Sequence, residues 1–467
     1  MNILVPITLF GWIPLVLVLF AVLPARRAAI AAFLLAWLFL PVWEYKIAGL
    51  PAYNKMTAAC LGILLGMLVF DIERLMAFRP SLLDVPMLIW CICPFVSSLS
   101  NGLGAYDGLS AAFYQTVIWG LPYFVGRLYF GDRVALRELA IGIVIGGLIY
   151  VPLCLYEIRF SPQLHRIVYG YLQSSWLDTK RLGGWRPIVF MQHGLMLGMW
   201  MTTTAAVAVW LWSTGSLRRL WGLSASSVAL ILTATAILCR SSGALAILGI
   251  GLAALFLTRW LRLPVPILCL LLAAPLYMGL RGSGRWDGQN LISLTRTFTD
   301  EERAQSIQTR ITNEDRLVAK ALERPAFGWG GWGRFRVYSE EGRDISLTDG
   351  MWVIALGKYG LLGLASLTVA MLLPLTRVWR RIPAKSWAHP AAAPVVACAV
   401  LLAMSMLDNL MNAMINPIFM VAAGALSSPA ILRATRRRDQ SMPTARQPAA
   451  FADSGVVAAA GRGSPLH

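Results

Sequence analysis

Ile3-Leu-Val-Pro-Ile-Thr-Leu-Phe-Gly-Trp-Ile-Pro-Leu-Val-Leu-Val-Leu-Phe-Ala-Val-Leu23 runs for 21 residues without a charge, and Arg26-Arg27 follow it. At 1.5 Å per residue, a helix of that length crosses the roughly 30 Å hydrocarbon core of a bilayer. No basic residue precedes the run, the reverse of a secretory leader, so it reads as a retained first membrane helix. Apolar runs of similar length recur as far as Leu432.

The whole chain of 467 residues repeats this character: 57% are apolar and only 14% charged. A soluble domain carries about 25% charged residues. The pattern predicts an all-α, polytopic integral membrane helix bundle of about 12–13 spans. The spans expected are residues 3–23, 28–42, 56–70, 83–100, 110–127, 139–157, 188–212, 220–239, 241–258, 264–280, 350–374, 391–410 and 414–432. Residues 1–280 then hold the N-terminal spans with a medium loop at 158–187. Residues 281–349 form a large, partly helical loop between the tenth and eleventh spans, and 350–432 the C-terminal spans. Residues 433–467, rich in Ala, Gly, Pro and Ser, form a disordered tail.

The net charge of +18 sits in short loops between the spans. That is the signature of membrane topology and argues against a nucleic-acid partner. One set of loops carries Arg26, Arg27, Arg74, Arg79, Arg127, Arg133, Arg137, Arg218, Arg219, Arg259, Arg262, Arg377, Arg380, Arg381 and Lys385, and the tail opens with Arg433. By the positive-inside rule these face the cytoplasm, and the N-terminus faces out. The large loop balances eleven basic against eleven acidic residues, so it does not break the rule. In a bacterium the protein would be a multi-pass inner-membrane protein with this loop in the periplasm.

Several functions are excluded. The cytoplasmic loops are too short for a domain that cradles nucleotide phosphates, and there is no Walker A sequence. Gly328-Trp-Gly-Gly-Trp-Gly333 follows Pro325 and no strand, so it reads as a tight turn with interfacial tryptophans. The seven cysteines lie in apolar runs without CxxC spacing and read as small core residues. No motif calls for a metal or a cofactor.

Four constellations remain. In Gly183-Gly-Trp-Arg-Pro-Ile-Val-Phe-Met-Gln-His-Gly194, Arg186 sits at the outer interface, with Gln192 and His193 about two turns deeper in a helix. Arg186 either snorkels to headgroups or binds an anion; ionisable groups at membrane depth are functional by default. Cys239-Arg240-Ser-Ser-Gly243 is a tight outer turn, simply topological or holding Arg240 where an anion would offset its burial. In the large loop, Thr299-Asp-Glu-Glu302 reads as a capping box. Ile307, Arg310, Ile311 and Glu314 then share one face of a helix, and a second stretch from Glu314 to Glu323 stops before Pro325. Arg303, Arg310 and Arg316 either pair with neighbouring acids or face the membrane. Finally, Ser346-Leu-Thr-Asp-Gly-Met-Trp352 puts Asp349 at the start of a span, as helix cap or general base, and Gly360 and Gly363 would admit another helix. Asp408, Asn409, Asn412 and Asn416 mark the last outer turn and read as caps more than as sugar contacts.

Together these pieces resemble the O-antigen ligase and polymerase superfamily of bacterial cell-surface glycan enzymes, membrane glycosyltransferases of GT-C type. The matching residues are Arg186 with His193-Gly194, Arg240-Ser-Ser-Gly243, Arg310 through Glu323-Arg-Pro-Ala-Phe-Gly328-Trp-Gly330 to Phe335, and Asp349-Gly350, nine residues, Gly360-Leu-Leu-Gly363. The resemblance spans roughly residues 180–420. Asp349 and Gly350 stand where ligases have histidine and asparagine, which favours the polymerase branch of O-antigen or exopolysaccharide synthesis. The resemblance implies a donor glycan on undecaprenyl pyrophosphate, a sugar acceptor, and inverting, metal-independent transfer. It assigns Asp349 and Arg310 to catalysis, and Arg186, His193, Arg240 and Arg316 to the pyrophosphate and substrate. Physically, arginines at a water-poor site stabilise the charge that develops on a departing pyrophosphate. Two other readings stay open: ligation of finished chains to lipid A core, and a flippase for lipid-linked sugars. The flippase reading needs charges along a full path, whereas here they gather at one end. A chain-length regulator is a partner the sequence leaves open.

Overall fold

The computed structural model describes residues 2–46, 52–176, 179–298, 301–429 and 431. The expected tail at 433–467 and the capping box that starts at Thr299 lie outside them. Met1–Ile431 form one compact unit. In chain order the helices are α1 (Leu4–Val22), α2 (Ala25–Phe39), α3 (Lys55–Phe70), α4 (Ile72–Met76), α5 (Val85–Ser100), α6 (Ala105–Gln115), α7 (Leu121–Tyr129), α8 (Arg133–Phe160) and α9 (Leu164–Tyr169). They continue as α10 (Gly194–Ser213), α11 (Ala225–Leu238), α12 (Ser242–Leu261), α13 (Val265–Gly282), α14 (Gln289–Phe298), α15 (Glu301–Leu322), α16 (Met351–Arg381), α17 (Ala393–Met411) and α18 (Pro417–Leu426). Among the described residues, strand is confined to three two-residue hairpins, Glu44–Tyr45 with Tyr53–Asn54, Lys180–Arg181 with Gly184–Trp185, and Arg219–Leu220 with Leu223–Ser224.

All thirteen apolar stretches fall on helices. Seven of them, α1, α8, α10, α12, α13, α16 and α17, are long and apolar enough to cross a membrane. α10 and α17 form the centre and are buried on nearly all sides, whereas α1, α12 and α13 cover only part of their surface. The rest is apolar and uncovered, with Val22, Trp260 and Leu276 among the exposed side chains. Lipid accepts such faces as well as protein does, so these helices are hydrophobic all round and carry little amphipathic signal.

The stretch 110–127 is two helices, α6 and α7, joined by a π turn at Thr116–Gly120. α10 starts at Gly194, not at residue 188. The reason is Glu157 of α8, whose buried carboxylate accepts the N–H groups of Ile188 (2.7 Å), Val189 (2.8 Å) and Leu164 (3.0 Å). Val189 is held at a positive φ of 55°. The Gln173 amide donates to the carbonyls of Val189 and Met191. A backbone fixed in this way cannot enter a helix.

α16 is not one continuous helix either. It breaks at Gly360, with φ 67° and ψ −164°. The segment from Pro325 to Gly330 fills the break. Leu361 N–H donates to Pro325 O at 2.7 Å and Leu362 N–H to Ala326 O at 3.3 Å, while Trp329 and Gly330 N–H donate to Gly357 O (2.9 Å) and Lys358 O (3.0 Å). Broken backbone at membrane depth must be satisfied by neighbouring protein, and here a strap supplies the partners. A Cβ on Gly360 would lie 2.4 Å from Ala326 O. The close approach expected at Gly360 is therefore made by this strap and not by a helix.

Candidate functional site

Two groups of side chains assemble at one end of the bundle. The short connection 239–241 starts α12 where α11 stops, and 262–264 returns the chain so that α13 ends at the same end. α13 ends beside α15, and α15 beside the start of α16 and the end of α17. The arginine-rich loops gather at the opposite end, where Arg26 meets Asp132, Arg137 reaches Ser216 O (3.2 Å), Ser216 reaches Pro390 O (2.6 Å) and Arg259 reaches Ser213 O (3.0 Å).

The first group surrounds the start of α10. The hairpin at residues 180–185 turns through Leu182 and Gly183, both at positive φ as a two-residue turn demands. The Arg240 guanidinium caps this turn, donating to the carbonyls of Arg181 (3.1 Å) and Leu182. It packs on Gly184 so closely that a Cβ there would come within 2.4 Å. Arg240 itself sits at φ 54°, a costly conformation for a residue with a side chain. Arg186 is buried, and its Nη2 donates to Arg240 O at 3.4 Å. A Cβ on Gly194 would meet Arg186 Cδ at 2.2 Å, so His193-Gly194 is a seat for the arginine stem. His193 is not two turns inside a helix. It is the N-cap of α10, its Nδ1 accepting Leu195 N–H at 3.1 Å, because Glu157 keeps residues 188–193 out of the helix.

The second group centres on α15, a single helix where two stretches were expected. Ala304, Ile311, Glu314, Leu317, Val318 and Ala321 form its buried stripe. It is fastened by Arg281 at the end of α13, whose Nη2 donates to Ile311 O (2.9 Å) and pairs with Asp315 (2.8 Å), while Nε faces Glu314 at 3.3 Å. Tyr277 (2.8 Å) and the Trp352 indole (3.3 Å) also donate to Glu314. Burial raises the Glu314 carboxyl above the usual range and outweighs these donors.

Arg310 projects from the same helix. Its Nε lies 3.4 Å from Asp349, and its Nη1 donates to Met411 O at 3.3 Å. Asp349 does not cap α16: Gly350 is the N-cap residue, and no side chain caps there. The Gly350 backbone is pinned against Leu410 O, and Met351 N–H donates to Asn412 O at 3.1 Å. Asn416 caps α18 and Asn412 donates to Asp408 at 2.7 Å, both structural roles. Arg316, six residues beyond Arg310 and on a different side of α15, reaches Ile345 O at 3.5 Å and, among the described residues, joins neither group.

A cavity of about 650 Å³ is lined by Trp37, Trp43, Lys55, Tyr114 and Gln192 among others, with Ala413 and Ile415 on one wall. Sequence reasoning passed over Lys55, Glu157 and Arg281. Each sits within a residue or two of the end of an expected span, where a charge reads as an ordinary boundary. Among the described residues no three His, Cys, Asp or Glu side chains come together as a metal would require. Six of the seven cysteines are buried and Cys269 is exposed. No protein-family pattern matches the chain, and no curated relative matches it.

Proposed function

We propose that this protein transfers a glycan from an undecaprenyl-pyrophosphate carrier to a sugar acceptor at the outer face of a bacterial inner membrane, as a polymerase of O-antigen or exopolysaccharide. The observation that carries the reading is the Arg310–Asp349 pair at 3.4 Å, on the same end of the bundle as Arg186 and Arg240 and opposite the arginine-rich loops. In this reading thirteen segments span the bilayer, the arginine-rich end is cytoplasmic, and α14 and α15 belong to a periplasmic loop.

The chemistry follows from the pair. A pyrophosphate offers Arg310 a second, more highly charged partner than Asp349, and arginine binds phosphate oxygens through two parallel N–H bonds. Arrival of the donor then frees the Asp349 carboxylate. The acceptor hydroxyl gives its proton to Asp349 while its oxygen attacks the anomeric carbon. The bond from that carbon to the phosphate oxygen breaks, and the electron pair leaves on undecaprenyl pyrophosphate, held by Arg310 with Arg186 and Arg240. One displacement inverts the anomeric centre. Removing one such charge-stabilising donor costs roughly 10²–10³ in rate.

Deleting the gene and running the lipid-linked glycans on gels tests this reading. Single repeat units in place of long chains support it, and Arg310→Ala expressed at normal level should reproduce that pattern. Long chains stranded on the carrier would mean ligation to lipid A core instead. Units trapped on the cytoplasmic side would mean transport, and the assignment of Asp349 and Arg310 to chemistry would fall.

A further inference from the structure

The 650 Å³ cavity holds a cation, Lys55, with no anionic partner among the described residues. Lys55 Nζ donates to Trp37 O at 3.1 Å and to Phe190 O at 3.2 Å, and among the described residues no carboxylate lies within ion-pair distance of it. An ammonium has three N–H donors, so one remains for whatever enters the cavity Lys55 lines. Glu44 and Lys46 also line this space, leaving it net positive. Its other walls are aromatic or amide, with Trp37, Trp43 and Tyr114 beside Asn54 and Gln192. Ring faces accept the C–H surface of a pyranose, amides bond its hydroxyls, and a half-buried ammonium seeks a carboxylate. The volume is within the roughly 300–1,000 Å³ of small-ligand pockets.

We propose that this cavity binds an acidic sugar, a pyranose whose carboxylate is taken by Lys55. Ala413 and Ile415 belong to the connection that starts just after Met411, whose carbonyl accepts from Arg310. The cavity wall at Ala413 is thus two residues along the chain from the carbonyl that Arg310 bonds, while Arg310 and Asp349 do not line the cavity themselves. That the sugar is the acceptor in chain growth rests on the function proposed above; that a carboxylated sugar binds does not.

The test is binding by the purified full-length protein in lipid nanodiscs, read by tryptophan fluorescence, with trigalacturonate and neutral maltotriose as probes. Trigalacturonate should bind about tenfold or more tighter, the worth of a charge-assisted hydrogen bond. Lys55→Gln keeps N–H donors but removes the charge, and should abolish the preference. Trp43→Ala, at a more exposed position, should weaken both sugars by a similar factor and leave their ratio unchanged. Arg310→Ala should stop chain growth and leave the ratio intact, which separates this site from the proposed reaction. Equal binding of the two sugars, no binding of either, or a preference that survives Lys55→Gln overturns the proposal. So does full competition by equimolar inorganic phosphate, which would mark a generic phosphate or headgroup site.

Discussion

Single residues at the functional end are held by backbone more than by other side chains. Glu157 accepts three backbone N–H groups, Arg240 donates to two carbonyls and Lys55 to two more. Such partners leave no trace in residue identity, which is why His193 read as a residue inside a helix and emerged as a cap. Arg310 and Asp349 were singled out in the sequence by residue type and spacing, and the structure brings them to 3.4 Å. Gly360→Ala tests the broken helix: a positive φ together with a Cβ 2.4 Å from Ala326 O should destabilise the protein by about 2–4 kcal/mol, seen as a lower unfolding temperature in detergent. His165 supplies a pH dependence. Burial, helped by the nearby Lys55 charge, pushes its imidazole down to about 4, against roughly 6.5 in an unfolded chain. Nδ1 donates to Tyr171 O and Nε2 accepts Val42 N–H, so a second proton breaks a bond. Between those pH values the unfolded state binds the proton more tightly. Stability is therefore full above about 6.5 and falls by on the order of 2–3 kcal/mol as pH drops to 4. His165→Asn should flatten that slope, and a slope unchanged in the variant would contradict the assignment.

Among the elements, α15 and the strap after it were partly legible. The 3.6-residue spacing of Ile307, Arg310, Ile311 and Glu314 found the helix, and of that face Ile311 and Glu314 are buried while Ile307 and Arg310 are half-buried. What fastens it was not legible, because Arg281 lies 33 residues upstream of Glu314 and reads as the end of a span. Removing one member of a buried, hydrogen-bonded ion pair costs about 3–5 kcal/mol. Arg281→Met should accordingly release α15, speeding amide exchange across residues 304–321 while α10 and α17 stay protected. Equal exchange in both proteins would show that α15 is held by its apolar stripe alone. The strap carries a parallel lesson. Gly328-Trp-Gly-Gly-Trp-Gly333 read only as a tight turn, and within it Gly328 and Gly330 bring backbone against α16 around Gly360. The Trp329 ring is in cation–π contact with both Lys320 and Arg324, at 4.0 and 4.6 Å.

For the whole molecule, composition decided the class at once, since 14% charged residues cannot coat a soluble protein of this length. Where each helix packs was not legible, because lipid and protein neighbours select the same side chains. The grouping of basic loops is the one long-range feature read from sequence alone, and in the structure those loops meet at one end. Orientation is open to a direct check. A membrane-impermeant maleimide applied to intact cells should label Ser293→Cys in α14 but not Ser226→Cys at the start of α11, and the reverse pattern would invert the topology.

Reconstitution gives a decisive test of the proposed glycan transfer. Purified protein in liposomes would be given an undecaprenyl-pyrophosphate-linked oligosaccharide as the only donor, and the products resolved by length. The proposed reaction gives a ladder of longer chains, with undecaprenyl pyrophosphate released for each bond formed and no product from Arg310→Ala or Asp349→Asn. Recovery of the oligosaccharide unchanged in length, or moved from one leaflet to the other, would contradict it.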